Sequence, residues 1–233
     1  MTQRHIGRIA EDSVSIAGKH VTLDGVLGVP PHARGVVLFA HGSGSGRFSP
    51  RNRFVAQHLQ QGGVGTLLID LLTEREAEDR NNVFDIDLLA DRVLMAGAWL
   101  AEDARTKHLP LGYFGASTGA GAALQAAARG PVAVNAIVSR GGRPDLAERY
   151  LPSVTAPTLL LVGGYDEPVI EMNQTAYQLL RCTKKLTIIP GATHLFEEPG
   201  TLEQVADQAL GWFLEHFPAH QGHEPTSPRK EIS

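Results

Sequence analysis

Ser117 stands in Gly115-Ala116-Ser117-Thr118-Gly119, between the apolar run Leu111–Phe114 and the Ala-rich segment Thr118–Arg129. A bare G-x-S-x-G arises often by chance. With a strand before it and a helix after it, the pattern describes a sharp turn that lifts the serine hydroxyl out of a sheet. Glycine is needed at 115 and 119 because a side chain there would collide with the neighbouring strand or helix. The Thr118 N–H, first in the following helix, then points at any anion forming beside Ser117. A serine hydroxyl alone is a poor nucleophile; it needs a histidine base, and that base needs a carboxylate to hold it. Both partners follow in the order Ser, acid, His: Asp166 after the run Thr158–Val162 and its Gly-Gly turn, and His194 after Leu186–Ile189. Both lie just beyond strand ends, where open α/β sheets bind ligands. Glu167 and Asp145 are rival acids, although Asp145 follows a different run. A second glycine-rich turn, His41 to Gly46, ends the run Val36–Ala40. Its Ser43 N–H is the second expected oxyanion donor, and His41 is expected to shape the turn rather than act as the base.

These residues require elements to hold them. Short, almost wholly apolar runs recur at Val36–Ala40, Thr66–Ile69, Leu111–Phe114, Val134–Val138, Thr158–Val162 and Leu186–Ile189. Strands covered by helices on both faces read this way. Helical segments separate them: Arg51–Gln61, Phe84–Ala101, Thr118–Arg129, Pro168–Leu180 and Thr201–Phe217. Ile86, Leu89, Val93, Ala96 and Leu100 form one apolar stripe. Thr201 and Gln204 fit a capping box. The alternation predicts an α/β domain with a mostly parallel sheet, preceded by an antiparallel hairpin between Val14 and Pro30 that turns at Ala17-Gly18-Lys19. One domain is expected over 1–217, with a polar, disordered tail over 218–233. The charged segment Leu71–Val83 reads as a surface loop that follows a strand end and so borders a pocket. The short stretch between Val138 and Thr158 has room for a small helix, Pro144–Leu151, and no lid.

The 233 residues carry 21 basic and 25 acidic side chains, so no cationic field recruits nucleic acid or an anionic membrane. No run approaches a membrane span, and the first residues hold no signal-peptide core. A cytoplasmic protein is the expectation. The single cysteine, Cys182, reads as a passive small residue. His216, His220 and His223 have suggestive spacing, but Pro218 interrupts them, and no metal is expected. Gly115 to Gly121 also fits a nucleotide-loop spacing, yet it does not follow the first strand, and no Tyr-x-x-x-Lys is present. Arg47, Arg51 and Arg53 follow the oxyanion turn, and Arg140 and Arg143 lie past another strand end. Arg47, Arg140 and Arg143 are candidates to bind an anionic group of a substrate. The alternative is a solvated rim or ion pairs with the acidic stretch Glu74–Asp79.

On HGSGSG, GYFGASTGAG, LLLVGGYDEPV and PGATHLF, the chain resembles the α/β-hydrolase superfamily from about Val14 to Phe217. It is most similar to the small, capless dienelactone-hydrolase-like branch, and to hydrolase domains sometimes fused to phosphoribosyltransferase domains. The resemblance implies a cofactor-free hydrolase of small esters or lactones. Dienelactone hydrolases carry a cysteine nucleophile where Ser117 stands here, which points away from dienelactone itself. Acyl transfer by the same residues and a binding module without turnover are the alternatives. Oligomeric state is open.

Overall fold

The computed structural model describes residues 9–218. Apart from Pro218, the expected tail lies outside the described residues, with His220 and His223. The chain opens with an antiparallel hairpin, β1 (Glu11–Ala17) and β2 (Thr22–Gly28). It then alternates: β3 (Val36–Ala40), α1 (Pro50–Gln61), β4 (Gly65–Ile69), short helices α2 (Glu74–Ala77) and α3 (Arg80–Phe84), and α4 (Ile86–Glu102). The second half is β5 (Leu111–Ala116), α5 (Thr118–Arg129), β6 (Val134–Arg140), a 3-10 segment Pro144–Ser153, β7 (Thr158–Gly163), α6 (Glu167–Leu179), β8 (Lys184–Ile189) and α7 (Thr201–His216). The eight strands form one sheet in the order β1-β2-β4-β3-β5-β6-β7-β8. β2 joins β4 antiparallel, and every pair from β4 to β8 is parallel.

Helices cover both faces, as the unbroken apolar strands require. Val36, Leu38, Leu67 and Tyr113 pack with α4 and α5 on one side. Val37, Phe39, Phe114 and Val138 pack with α1 and α7 on the other. β3, β4 and β5 are buried along their whole length. The stretch between β6 and β7 holds only the 3-10 segment, so no lid domain is inserted there.

Two local readings change. The capping box at Thr201 does not form. Gly200, with φ +79°, takes the cap position and has no side chain to offer. Thr201 instead donates its hydroxyl to the Glu198 carbonyl at 2.7 Å, and Gln204 donates to the Gly200 carbonyl. A capping box does form at Thr73 and Glu76, and it folds part of the expected loop 71–83 into α2.

Candidate active site

Ser117 joins β5 to α5 with φ +50° and ψ −123°, a region that L residues rarely adopt. Its neighbours hold it there. The Ser117 N–H donates to the Arg140 carbonyl, and its own carbonyl accepts from the N–H groups of Arg143 and Ala120. A Cβ at Gly115 would come within 2.4 Å of the Ala120 Cα, and one at Gly119 within 2.3 Å of the Ala40 carbonyl oxygen. Both glycines are therefore dictated by close approach, to the helix and to the neighbouring strand respectively. Such a turn stores about 1–3 kcal/mol of strain, a cost associated with functional positions.

Asp166 occupies the cap position of α6, yet its carboxylate caps nothing. It accepts from His194 Nδ1 at 2.6 Å. Of the rival acids, Asp145 is held by a fork from Arg143 at 2.8–3.2 Å, and Glu167 lies in the first turn of α6. With Nδ1–H donated to Asp166, Nε2 is the ring nitrogen that keeps its lone pair. Gly141, directly after β6, packs beneath the histidine loop; a Cβ there would lie 3.2 Å from the His194 carbonyl and 3.6 Å from Cε1. The ends of β5, β6, β7 and the loop after β8 thus bring Ser117, Asp166 and His194 to one edge of the sheet.

The turn after β3 closes the other side. A Cβ at Gly42 would sit 2.9 Å from Ser117 Cβ and 3.7 Å from its Oγ. The Ser43 N–H donates to Thr118 Oγ1 at 3.0 Å, a contact with no signature in the sequence. His41 is pinned on both nitrogens: Nδ1 donates to the Gly42 carbonyl at 2.9 Å, and Nε2 accepts from the Leu71 N–H at 3.0 Å. Accepting a backbone N–H requires a neutral ring, and burial lowers the His41 pKa to match. His41 ties the turn after β3 to the segment that follows β4, with neither ring nitrogen available as a base.

The arginines part company. Arg47 pairs with Asp70 and, at 3.4 Å, with Asp24. Arg143 is committed to Asp145. The acidic stretch near α2 is paired elsewhere, with Glu76 meeting Arg92 at 2.6 Å. Arg140 differs: it is 7% exposed, and its Nε and Nη1 are buried with no hydrogen-bond partner among the described residues. The Phe196 ring lies 5.9 Å from its guanidinium. Burial, together with the nearby Arg51 charge, lowers its pKa to about 10. Packing brings Arg51 of α1 beside the end of β6, where it donates to Glu197 at 3.1 Å.

A cavity of about 420 Å³ is bounded by Gly42, Ser43 and Thr118 and by residues of α2 and α3; Ser117, Asp166 and His194 do not line it. Leu23, Leu71, Leu72, Val83 and Leu89 line its apolar part. The expectation that segment 71–83 borders a pocket is met. Among the described residues, no helix is long and apolar enough to cross a membrane.

Comparison with known proteins follows the same geometry. The family model described as "Dienelactone hydrolase family" matches residues 23–217. A crystal structure of a dienelactone hydrolase from Anabaena variabilis is 57% identical, covers 91% of this chain and all of its own, and superposes with a TM-score of 0.87. The esterase Est1E from Butyrivibrio proteoclasticus shares the fold at 18% identity, with a TM-score of 0.75 over 88% of this chain and 98% of that one. Two curated Mycobacterium tuberculosis proteins, both named as phosphoribosyl transferases, are 57% identical over 209 residues. They match 90% of this chain, which spans about half of their length, 47%. A serine turn between β5 and α5, an aspartate–histidine pair beyond β7 and β8, and a match over nearly the whole sheet lead to one conclusion: the chain belongs to the dienelactone hydrolase family, with the α/β-hydrolase fold.

Proposed function

We propose that the protein is a serine hydrolase that cleaves small carboxylic esters or lactones through an acyl-enzyme intermediate. The hydrogen bond between His194 and Asp166, at the sheet edge that carries the strained Ser117, supports this reading most directly. Ser117 Oγ attacks the acyl carbon while His194 Nε2 takes its proton. The C–O bond to the leaving alcohol breaks as His194 returns that proton to it. Water, deprotonated by His194, then releases the acyl group as acid and restores Ser117. Asp166 fixes the ring tautomer and stabilises the imidazolium.

The Thr118 and Ser43 N–H groups are the proposed oxyanion donors. Thr118 Oγ1 holds the Ser43 N–H before substrate arrives, so the oxyanion shares or replaces that contact. Hydrolysis is assigned to one domain spanning 1–217. The phosphoribosyl transferase name of the longer relatives we attribute to the half that this chain does not span. Of the three arginines considered for an anionic group, Arg140 retains that role, on the His194 side, because its N–H groups are not taken by a carboxylate.

Intact mass after exposure to a fluorophosphonate tests the reading. One adduct on the wild type and none on Ser117→Ala is expected. No adduct on folded wild-type protein would overturn it and favour a binding module. Added alcohol or amine acceptors, with analysis of products, separate hydrolysis from acyl transfer. Activity is expected to fall on acidification, because a protonated His194 cannot act as base.

A further inference from the structure

The cavity beneath α2 and α3 has a direction. It begins at Gly42, Ser43 and Thr118, where the oxyanion turn meets the residue after the nucleophile. Ser117, Asp166 and His194 do not line it; Gly42, whose added Cβ would lie 2.9 Å from Ser117 Cβ, and Thr118 are its links to the serine. A histidine that protonates the leaving group must have that group on its own side of the reacting carbon. What extends the other way, past the oxyanion donors, is the acyl group.

The walls decide what that group is. Leu23, Leu71, Leu72, Val83 and Leu89 supply apolar surface. The charges at the margin are Asp24, Asp70 and Glu74 against Arg47, three carboxylates to one guanidinium. Arg47 is already engaged by Asp70 and Asp24. His41, the remaining titratable group there, keeps a neutral ring because Nε2 accepts the Leu71 N–H. No free cation among these residues meets an acid, and an acid entering would face like charge and lose its hydration.

Resting on the serine-hydrolase reading above, we infer that this cavity is the acyl pocket, that it takes a neutral, apolar acyl chain of up to about fourteen carbons, and that it rejects acyl groups ending in a carboxylate. Volume sets the upper bound: at roughly 30 Å³ per carbon-sized group, fourteen carbons fill about 420 Å³. The cavity offers about 420 Å³, with Leu72 and Val83 among its walls.

The test measures kcat/KM for p-nitrophenyl acetate, butanoate, hexanoate, octanoate, dodecanoate and hexadecanoate, alongside fluorophosphonate labelling of the same preparation. The expected profile rises about three- to fourfold per methylene as apolar area leaves water, then falls once the chain outgrows the cavity. The mono-p-nitrophenyl ester of octanedioic acid is expected to react at least about tenfold more slowly than the octanoate. Val83→Phe, filling the cavity from α3, is expected to lower the octanoate-to-acetate ratio by about tenfold or more. A flat chain-length profile, or equal rates for the acid and its neutral counterpart, overturns the pocket while a labelled Ser117 leaves the triad standing. If Ser117 does not label, Ser117→Ala decides the cavity without turnover. Methyl octanoate should raise its Tm more than methyl acetate or monomethyl octanedioate does. Equal shifts would reject the pocket.

Discussion

The two sides of Ser117 are built on opposite electrostatic plans. Toward β2, β4 and α2, the cations near the cavity are answered: Arg47 by Asp70 and Asp24, and Arg92 by Glu76 of α2. His41 is locked neutral beneath them. Toward β6 and the histidine loop, Arg140 is buried without a carboxylate and beside a second arginine. Leu195 and Tyr165 lie exposed near the surface of that side. Paired charge around an apolar hollow suits a neutral group. A buried, unanswered guanidinium carries a standing desolvation cost, which an incoming anion would offset. On the proposed reading, the comparison divides specificity between an acyl and a leaving-group side rather than concentrating it in one pocket.

Neither side matters unless the centre works, so the largest effect tests the centre. Ser117→Ala is expected to lower kcat by about 10⁵–10⁶-fold with the fold unchanged by circular dichroism. Asp166→Asn should cost about 10³–10⁴-fold in kcat, with little change in KM, because the wrong tautomer is then held. Gly119→Ala drives a methyl group into the Ala40 and His41 carbonyls and should destabilise the protein by about 3 kcal/mol in urea unfolding.

Arg140→Met sharpens the comparison directly. Removing an unanswered buried charge is expected to stabilise the protein by about 1–2 kcal/mol. The same change should abolish any preference for 4-carboxyphenyl acetate over phenyl acetate. A loss of stability instead would show that Arg140 is a structural cation with partners in solution, and the two sides would no longer differ.

The smallest effect concerns His41. Burial depresses its pKa in the folded state, so below the ordinary histidine value the unfolded chain binds more protons. Stability should therefore be fully present above about pH 6.5 and decline as pH falls through that value toward the folded pKa. His41→Gln should flatten that decline in thermal melts between about pH 5 and pH 7.

Much of this was legible in the chain. Ser117, Asp166 and His194 each follow an apolar run short enough to be a buried strand, and parallel strands place their C-terminal ends together. The glycines at 115 and 119 were readable as close-approach positions from their spacing alone. Thr201 misled because a threonine three residues before a glutamine satisfies the capping pattern, while Gly200 had already taken the cap. Arg47, Arg140 and Arg143 looked alike because a guanidinium's role depends on its partner, and Asp70, Asp145 and Arg51 become neighbours only by local geometry or by packing.

Element order, strand burial and the identity and sequence of the three candidate residues are local properties. Periodicity, glycine spacing and chain order carry them, so they can be read without coordinates. Which arginine is left unanswered, which N–H is already held by Thr118, and on which side a 420 Å³ hollow opens depend on contacts between residues far apart in the chain. No periodicity encodes such contacts. They arise when β2, β3, β4 and the short helices close around one edge of the sheet and α1 closes around the other.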